Sequence, residues 1–168
     1  MAAGAFVTEG FPVPLTYVAD GFVFKKLTPA FTAVDYAAVM SSREHIRRLL
    51  SCDMPDMWPR GDLTEDEDRD DLAMHEREFD NRIAFAYTVL SPDEKTCLGC
   101  VYIDPSGVPA YDAEVTLWAL DDALDSRLFK TVKEWMKAWP FECPSFPVFE
   151  IPMREWRQAL ASAKNKQG

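Results

Sequence analysis

The sequence predicts an α/β fold: a mixed, mostly antiparallel twisted sheet with helices on both faces, in the order β-α-α-β-β-β-α-β-α. Three observations carry this reading. Helix-period segments fill much of the first half of the chain. Three strand-like runs follow with only turns between them. An amphipathic helix and one more strand come next, and a strand, helix, strand crossover makes its two strands parallel. At 168 residues the chain has the length of one domain. A domain of about 150 residues buries roughly 70% of its unfolded surface, so disulfide or metal staples are not required.

Residues 1–21 hold Pro12 and Pro14 and no clear period, and read as an N-terminal arm over a single domain at 22–168. Phe22 to Leu27 is a short strand closed by Thr28-Pro29. A helix-start signature at Thr32, with Asp35 three residues on, opens a first helix that runs to about Ser51. Its apolar positions are Tyr36, Val39, Met40, Ile46, Leu49 and Leu50. The stretch from Cys52 to Asp62, with Pro55, Pro59 and Gly61, is a loop. Thr64-Glu65-Asp66-Glu67 has the capping-box pattern, in which hydroxyl and carboxylate each satisfy an orphan amide. The second helix extends to about Asn81, with Leu72, His75 and Phe79 along one stripe.

Ile83 to Leu90, Thr96 to Asp104 and Ala113 to Leu120 form the antiparallel meander. Ser126 or Asp125 caps a third helix, on which Leu128, Val132, Trp135, Met136 and Trp139 make the clearest apolar stripe. Pro140 ends it. Val148 to Ile151, between two prolines, is the last strand, and Arg154 to about Ala163 the last helix.

Composition and charge narrow the function. The chain is 48% hydrophobic and 27% charged, which excludes wholesale disorder. Its formal net charge of −10 argues against nucleic acid, which demands a concentrated cationic surface. No stretch reaches the ~20 apolar residues of a membrane helix, and the N-terminus lacks a signal's basic and apolar regions. The expected location is cytoplasmic, with four free thiols.

The acidity is concentrated. Thr64 to Asp80 carries nine Asp and Glu against Arg69 and Arg77. The simple reading is a solvated helix face; the sharper one is a funnel for an amine, requiring some of Asp68, Asp71 and Glu78 to face a cleft. Cys97-Leu98-Gly99-Cys100 is a C-x-x-C, but residues three apart in a strand point to opposite faces. No metal is expected there. His45 and His75 show no ligand spacing, and no nucleophile elbow or phosphate loop is present.

Ala113-Glu114-Val115-Thr116-Leu117-Trp118-Ala119-Leu120, preceded by the strand around Cys97 to Tyr102 and followed by the amphipathic helix, resembles the GNAT superfamily of N-acetyltransferases. The resemblance spans about residues 22 to 163. It implies that the backbone of Leu117, Trp118, Ala119 and Leu120 meets the pantetheine arm of acetyl-CoA, and that Glu114 matches a general-base position. Arg127 and Lys130 are the cations nearest the pyrophosphate. The family's Q/R-x-x-G-x-G/A loop is replaced by Asp121-Asp122-Ala123-Leu124-Asp125-Ser126-Arg127-Leu128, which has no glycine and three aspartates. The family's general-acid tyrosine is missing too; Phe149 and Trp156 stand in that region.

Two functions follow. The first is a divergent N-acetyltransferase carrying acetyl from acetyl-CoA to a small cationic amine. The alternative is a GNAT-like domain that has lost acetyl-CoA and serves as a ligand-binding or protein-interaction module. For that alternative, a homodimer through the short-sheet end is the corresponding assembly. A third reading is an acidic protein that neutralises a basic partner.

Overall fold

The structure is a computed structural model and describes residues 6–167. Six strands form one sheet in sequence order: β1 (Thr16–Ala19), β2 (Phe22–Lys26), β3 (Phe85–Leu90), β4 (Cys97–Pro105), β5 (Ala113–Ala119) and β6 (Pro144–Ser145). All neighbours are antiparallel except β5 and β6, which are parallel. The expected mixed sheet is therefore present. It has one strand more than expected, because Thr16–Ala19 of the expected arm pairs with Phe22–Lys25 across the Asp20-Gly21 turn. Asp20 and Gly21 both adopt positive φ (52° and 82°), the backbone twist that a two-residue hairpin requires.

The helices are α1 (Thr32–Ser41), α2 (Arg43–Leu49), α3 (Glu65–Asp80), α4 (Asp122–Met136) and α5 (Met153–Lys166). What reads as one helix from Thr32 to Ser51 is two, broken at Ser42. The break falls at a Ser-Ser pair, where the Ser41 hydroxyl donates to the Ala38 carbonyl and competes with the helical ladder. The Thr64 capping box at the start of α3 is fully formed. The last strand is not Val148–Ile151. Val148 has φ 77°, a left-handed conformation costly for a β-branched residue, and its amide closes a turn onto the Ile151 carbonyl. Pro144–Ser145 pairs with β5 instead.

Alternation along the strands divides the core. On one face Phe24, Phe85, Tyr87, Val101, Ile103, Val115 and Leu117 pack against Leu128, Val132, Trp135 and Met136 of α4. On the other, Cys97, Cys100 and Trp118 pack against Ala38 and Val39 of α1 and Ile46 of α2, and Tyr102 against Leu72 of α3. Burial of large side chains such as these stabilises by about 1.5–3 kcal/mol each. Among the described residues, no helix is long and apolar enough to cross a membrane.

Candidate functional site

Pairing between β5 and β6 stops at Ala113↔Pro144 and Glu114↔Ser145, while β5 stays paired with β4 up to Gly99↔Ala119. Leu117, Trp118 and Ala119 thus have a strand partner on one side only. α4 starts directly beyond this opening. Its cap is Asp121, whose carboxylate accepts from the Leu124 amide at 2.9 Å, rather than Ser126 or Asp125 as the sequence suggested. The acidic stretch expected as a loop is the first turn of the helix. Acids belong there, against the positive end of the helix dipole.

Asp125 faces inward from that turn and is 3% exposed. One carboxylate oxygen accepts from the Ala119 amide at 2.7 Å, and the other meets His45 Nε2 at 2.7 Å. Asp122 lies 3.5 Å from the other ring nitrogen of His45. The structure therefore gives His45 carboxylate partners that sequence spacing did not show, because they come from a helix 80 residues away. Leu120 donates to the Leu98 carbonyl. Arg127 turns from the opening towards β1 and β2: it donates to the Asp20 carbonyl at 3.2 Å, with its guanidinium 5.0 Å from the centre of the Phe22 ring.

Glu114 lies on the opposite face from α4, partly buried, and accepts a hydrogen bond from Trp156 Nε1 at 3.1 Å. Burial pushes its carboxyl above the ordinary value, against that hydrogen bond. Asp104 is its cross-strand partner. Burial first, then the charges of Glu114 and Glu78, raise Asp104 to about 6. His75 on α3 sits between Asp71 at 3.6 Å and Glu78 at 3.7 Å. Burial disfavours its charged form, but these carboxylates prevail and its pKa rises. Carboxyls from two strands and one helix thus line one face of the sheet, a setting suited to a cation.

The same face carries a second constellation. Val89 pairs with Gly99 but Leu90 pairs with Cys97, so Leu98 is an extra residue and β4 bulges there. The bulge resets the alternation, and Cys97 and Cys100 point to the same face, contrary to the expectation from spacing. Cys100 Sγ lies 3.2 Å from Asp35 Oδ1, and the Cys97 thiol donates to the Gly99 carbonyl at 3.3 Å and pairs with the Thr88 hydroxyl. Asp35 in turn contacts the carboxyl of Asp68 from α3.

Asp35 is 3% and Asp68 2% exposed. Asp68 is therefore not on a solvated helix face, because the turn of α3 that carries it packs on α1. Burial drives both carboxyls up, Asp35 to about 7 with the charge of Cys97 adding to it, and Asp68 to about 8 with the charge of Asp35 adding to it. A cavity of about 220 Å³, lined by Trp58, Arg60, Leu63, Asp68 and Asp71 among others, leads to Asp68 from outside. Its rim is the loop after α2, which Arg47 holds by donating to the carbonyls of Cys52, Met54 and Met57. The requirement that Asp68 and Asp71 face a cleft is met; Glu78 lies further along α3, beside His75.

No protein-family model and no curated protein matches the sequence. Solved structures do share the fold. The ribosomal-protein-S5-alanine acetyltransferase of Vibrio fischeri superposes with a TM-score of 0.53 at 13% identity, covering 73% of this chain and 67% of that one. RimL, a ribosomal L7/L12 α-N-protein acetyltransferase, does so with a TM-score of 0.53 at 10% identity, over 80% and 70% of the two chains. The fold is that of the GNAT acetyltransferases.

Proposed function

We propose that this chain binds a cationic amine on the carboxyl-lined face and transfers to it an acetyl group from acetyl-CoA. The observation that carries this reading is Glu114, a partly buried carboxyl with a raised pKa where β5 loses its second neighbour. A carboxylate so placed takes the proton of an incoming ammonium, leaving a neutral amine that attacks the thioester carbonyl; the C–S bond then breaks, and the departing CoA thiolate receives a proton from the nitrogen or from solvent. Asp104, Asp71 and Glu78 attract the cation. In this reading acetyl-CoA occupies the open side of β5 along Leu117 to Leu120. The structural neighbours act on ribosomal proteins, so a protein N-terminus is an amine of the right kind alongside small amines.

One observation favours a second reading. The Ala119 amide already donates to Asp125, and Asp121 occupies the helix end where phosphates bind in this fold class. A domain that keeps the amine-binding face and has lost acetyl-CoA accounts for both. Thermal unfolding with and without acetyl-CoA separates the two. A ligand at a hundred times its Kd adds about 2.7 kcal/mol of stability. Acetyl transfer requires a rise in Tm at millimolar acetyl-CoA; an unchanged Tm leaves the amine-binding module.

A further inference from the structure

We propose that Cys97, Cys100, Asp35 and Asp68 form a site for one zinc ion. The four side chains come from β4, α1 and α3, and none of them takes part in the proposed acetyl transfer. Cys97 Sγ, Cys100 Sγ and one oxygen of Asp35 all lie within 4.8 Å of one another and are buried. A tetrahedral zinc site with bonds of about 2.3 Å to sulfur and 2.0–2.2 Å to oxygen places its ligand atoms roughly 3.5–3.8 Å apart. Asp68, beside the Asp35 carboxyl, supplies the second oxygen and so the fourth ligand.

The electrostatics point the same way. A buried carboxylate is stable only with donors or a cation beside it. No N–H or O–H donates to Asp68 Oδ2. No Lys, Arg or His pairs with Asp35 or Asp68 among the described residues. Four potential anions therefore share one pocket of the core without a countercharge. A divalent ion supplies it, and its binding releases the thiol and carboxyl protons to solvent.

Thiolate with carboxylate selects zinc over magnesium or calcium, which take oxygen ligands alone. The cavity beside Asp68 is the entry path. The Leu98 bulge and Gly99, whose missing Cβ lets β4 close on the Trp118 carbonyl, set both sulfurs on this face.

Cobalt(II) is the probe for the test, added to full-length protein stripped with chelator and kept reduced. The expected result is one cobalt per chain, with thiolate-to-metal charge-transfer absorption that zinc displaces. The double variant C52S/C143S keeps this signal, and C97S and C100S abolish it. D68N weakens binding at least as much as the roughly 10–100-fold that follows loss of a ligand's supporting partner.

Because a core variant can fail to fold, the wild type gives a second readout. Zinc slows alkylation of Cys97 and Cys100 in mild denaturant at least tenfold and leaves Cys143 unchanged. Absence of the charge-transfer signal in C52S/C143S overturns the site. So do equal alkylation rates with and without zinc.

Discussion

Asp125 of α4 holds the backbone amide of Ala119 at 2.7 Å, at the end of the one strand that runs on beyond its neighbour. The carboxylate is buried and braced by His45. Burial raises its pKa, while the Ala119 amide and His45 oppose that rise. An amide that this opening would otherwise offer to a ligand is thus tied to the protein itself.

Removing that carboxylate strands a buried N–H. An unsatisfied buried donor costs about 1–3 kcal/mol, and His45 loses its partner as well. Asp125→Ala is expected to lower stability by about 2–3 kcal/mol in urea unfolding with the slope unchanged. Asp125→Asn keeps an acceptor for Ala119 and should lose less. If acetyl-CoA uses this amide, D125N also binds it more tightly than the wild type, since a charge that repels phosphate is gone. Equal stability of D125A and wild type would show that the bond contributes nothing.

Gly99 sets the closeness of β4 to β5. A Cβ at this position lies 2.1 Å from the Trp118 carbonyl oxygen and 3.0 Å from the Ala119 Cα, both backbone. No rotamer relieves such a clash, so the strands must part. Gly99→Ala is expected to fall in the tail of substitutions beyond about 4 kcal/mol. A thermal melt followed by circular dichroism checks this, and a Tm within a few degrees of wild type refutes it.

Much of the fold was legible because period and punctuation act locally. The Thr64 box, the three meander strands and the apolar stripe of α4 each follow from neighbouring residues. The candidate site was less so. The bulge at Leu98 arises from a mismatch between β3 and β4, which the spacing of Cys97 and Cys100 does not carry. Asp68 lies in a run of acids that resembles a solvated face, and only the packing of α3 on α1 buries it. His45 and Asp125 are joined across 80 residues. The resemblance pointed to Glu114 as a candidate base; its hydrogen bond from Trp156 required the tertiary structure. Val148 shows the reverse error, since a strand-forming residue is held out of the strand by its turn.

Asp104 gives a pH dependence with a definite sign. Its pKa rises on folding from 3.8 to about 6. The folded state therefore binds the proton more tightly than the unfolded chain. The associated stability is complete below pH 4 and is lost as pH rises through 6. Asp104→Asn removes this dependence. A tenfold change in proton affinity is worth about 1.4 kcal/mol at most, and partial solvent exposure reduces the total to the order of 1–2 kcal/mol. Relative to wild type, D104N should gain stability between pH 4 and 7. A variant-minus-wild-type difference that is the same at both pH values counts against this linkage.

Glu114→Gln isolates the proposed base. Glutamine keeps an oxygen that accepts from Trp156 Nε1, so the fold and its melting temperature should stay nearly unchanged. It removes the basic oxygen, and loss of a general base costs about 10²–10⁴ in rate. In the wild type, kcat/KM for an amine acceptor should rise with pH through an ionisation above the ordinary 4.5 of a glutamate, because burial raises Glu114. The variant should lose that limb of the profile. Acetylation of an acceptor peptide, followed by mass spectrometry over a pH series, measures both effects. A variant that keeps the wild-type rate and pH profile removes Glu114 from the chemistry. One that loses the rate but keeps the profile makes Glu114 a residue that positions the amine rather than one that takes its proton.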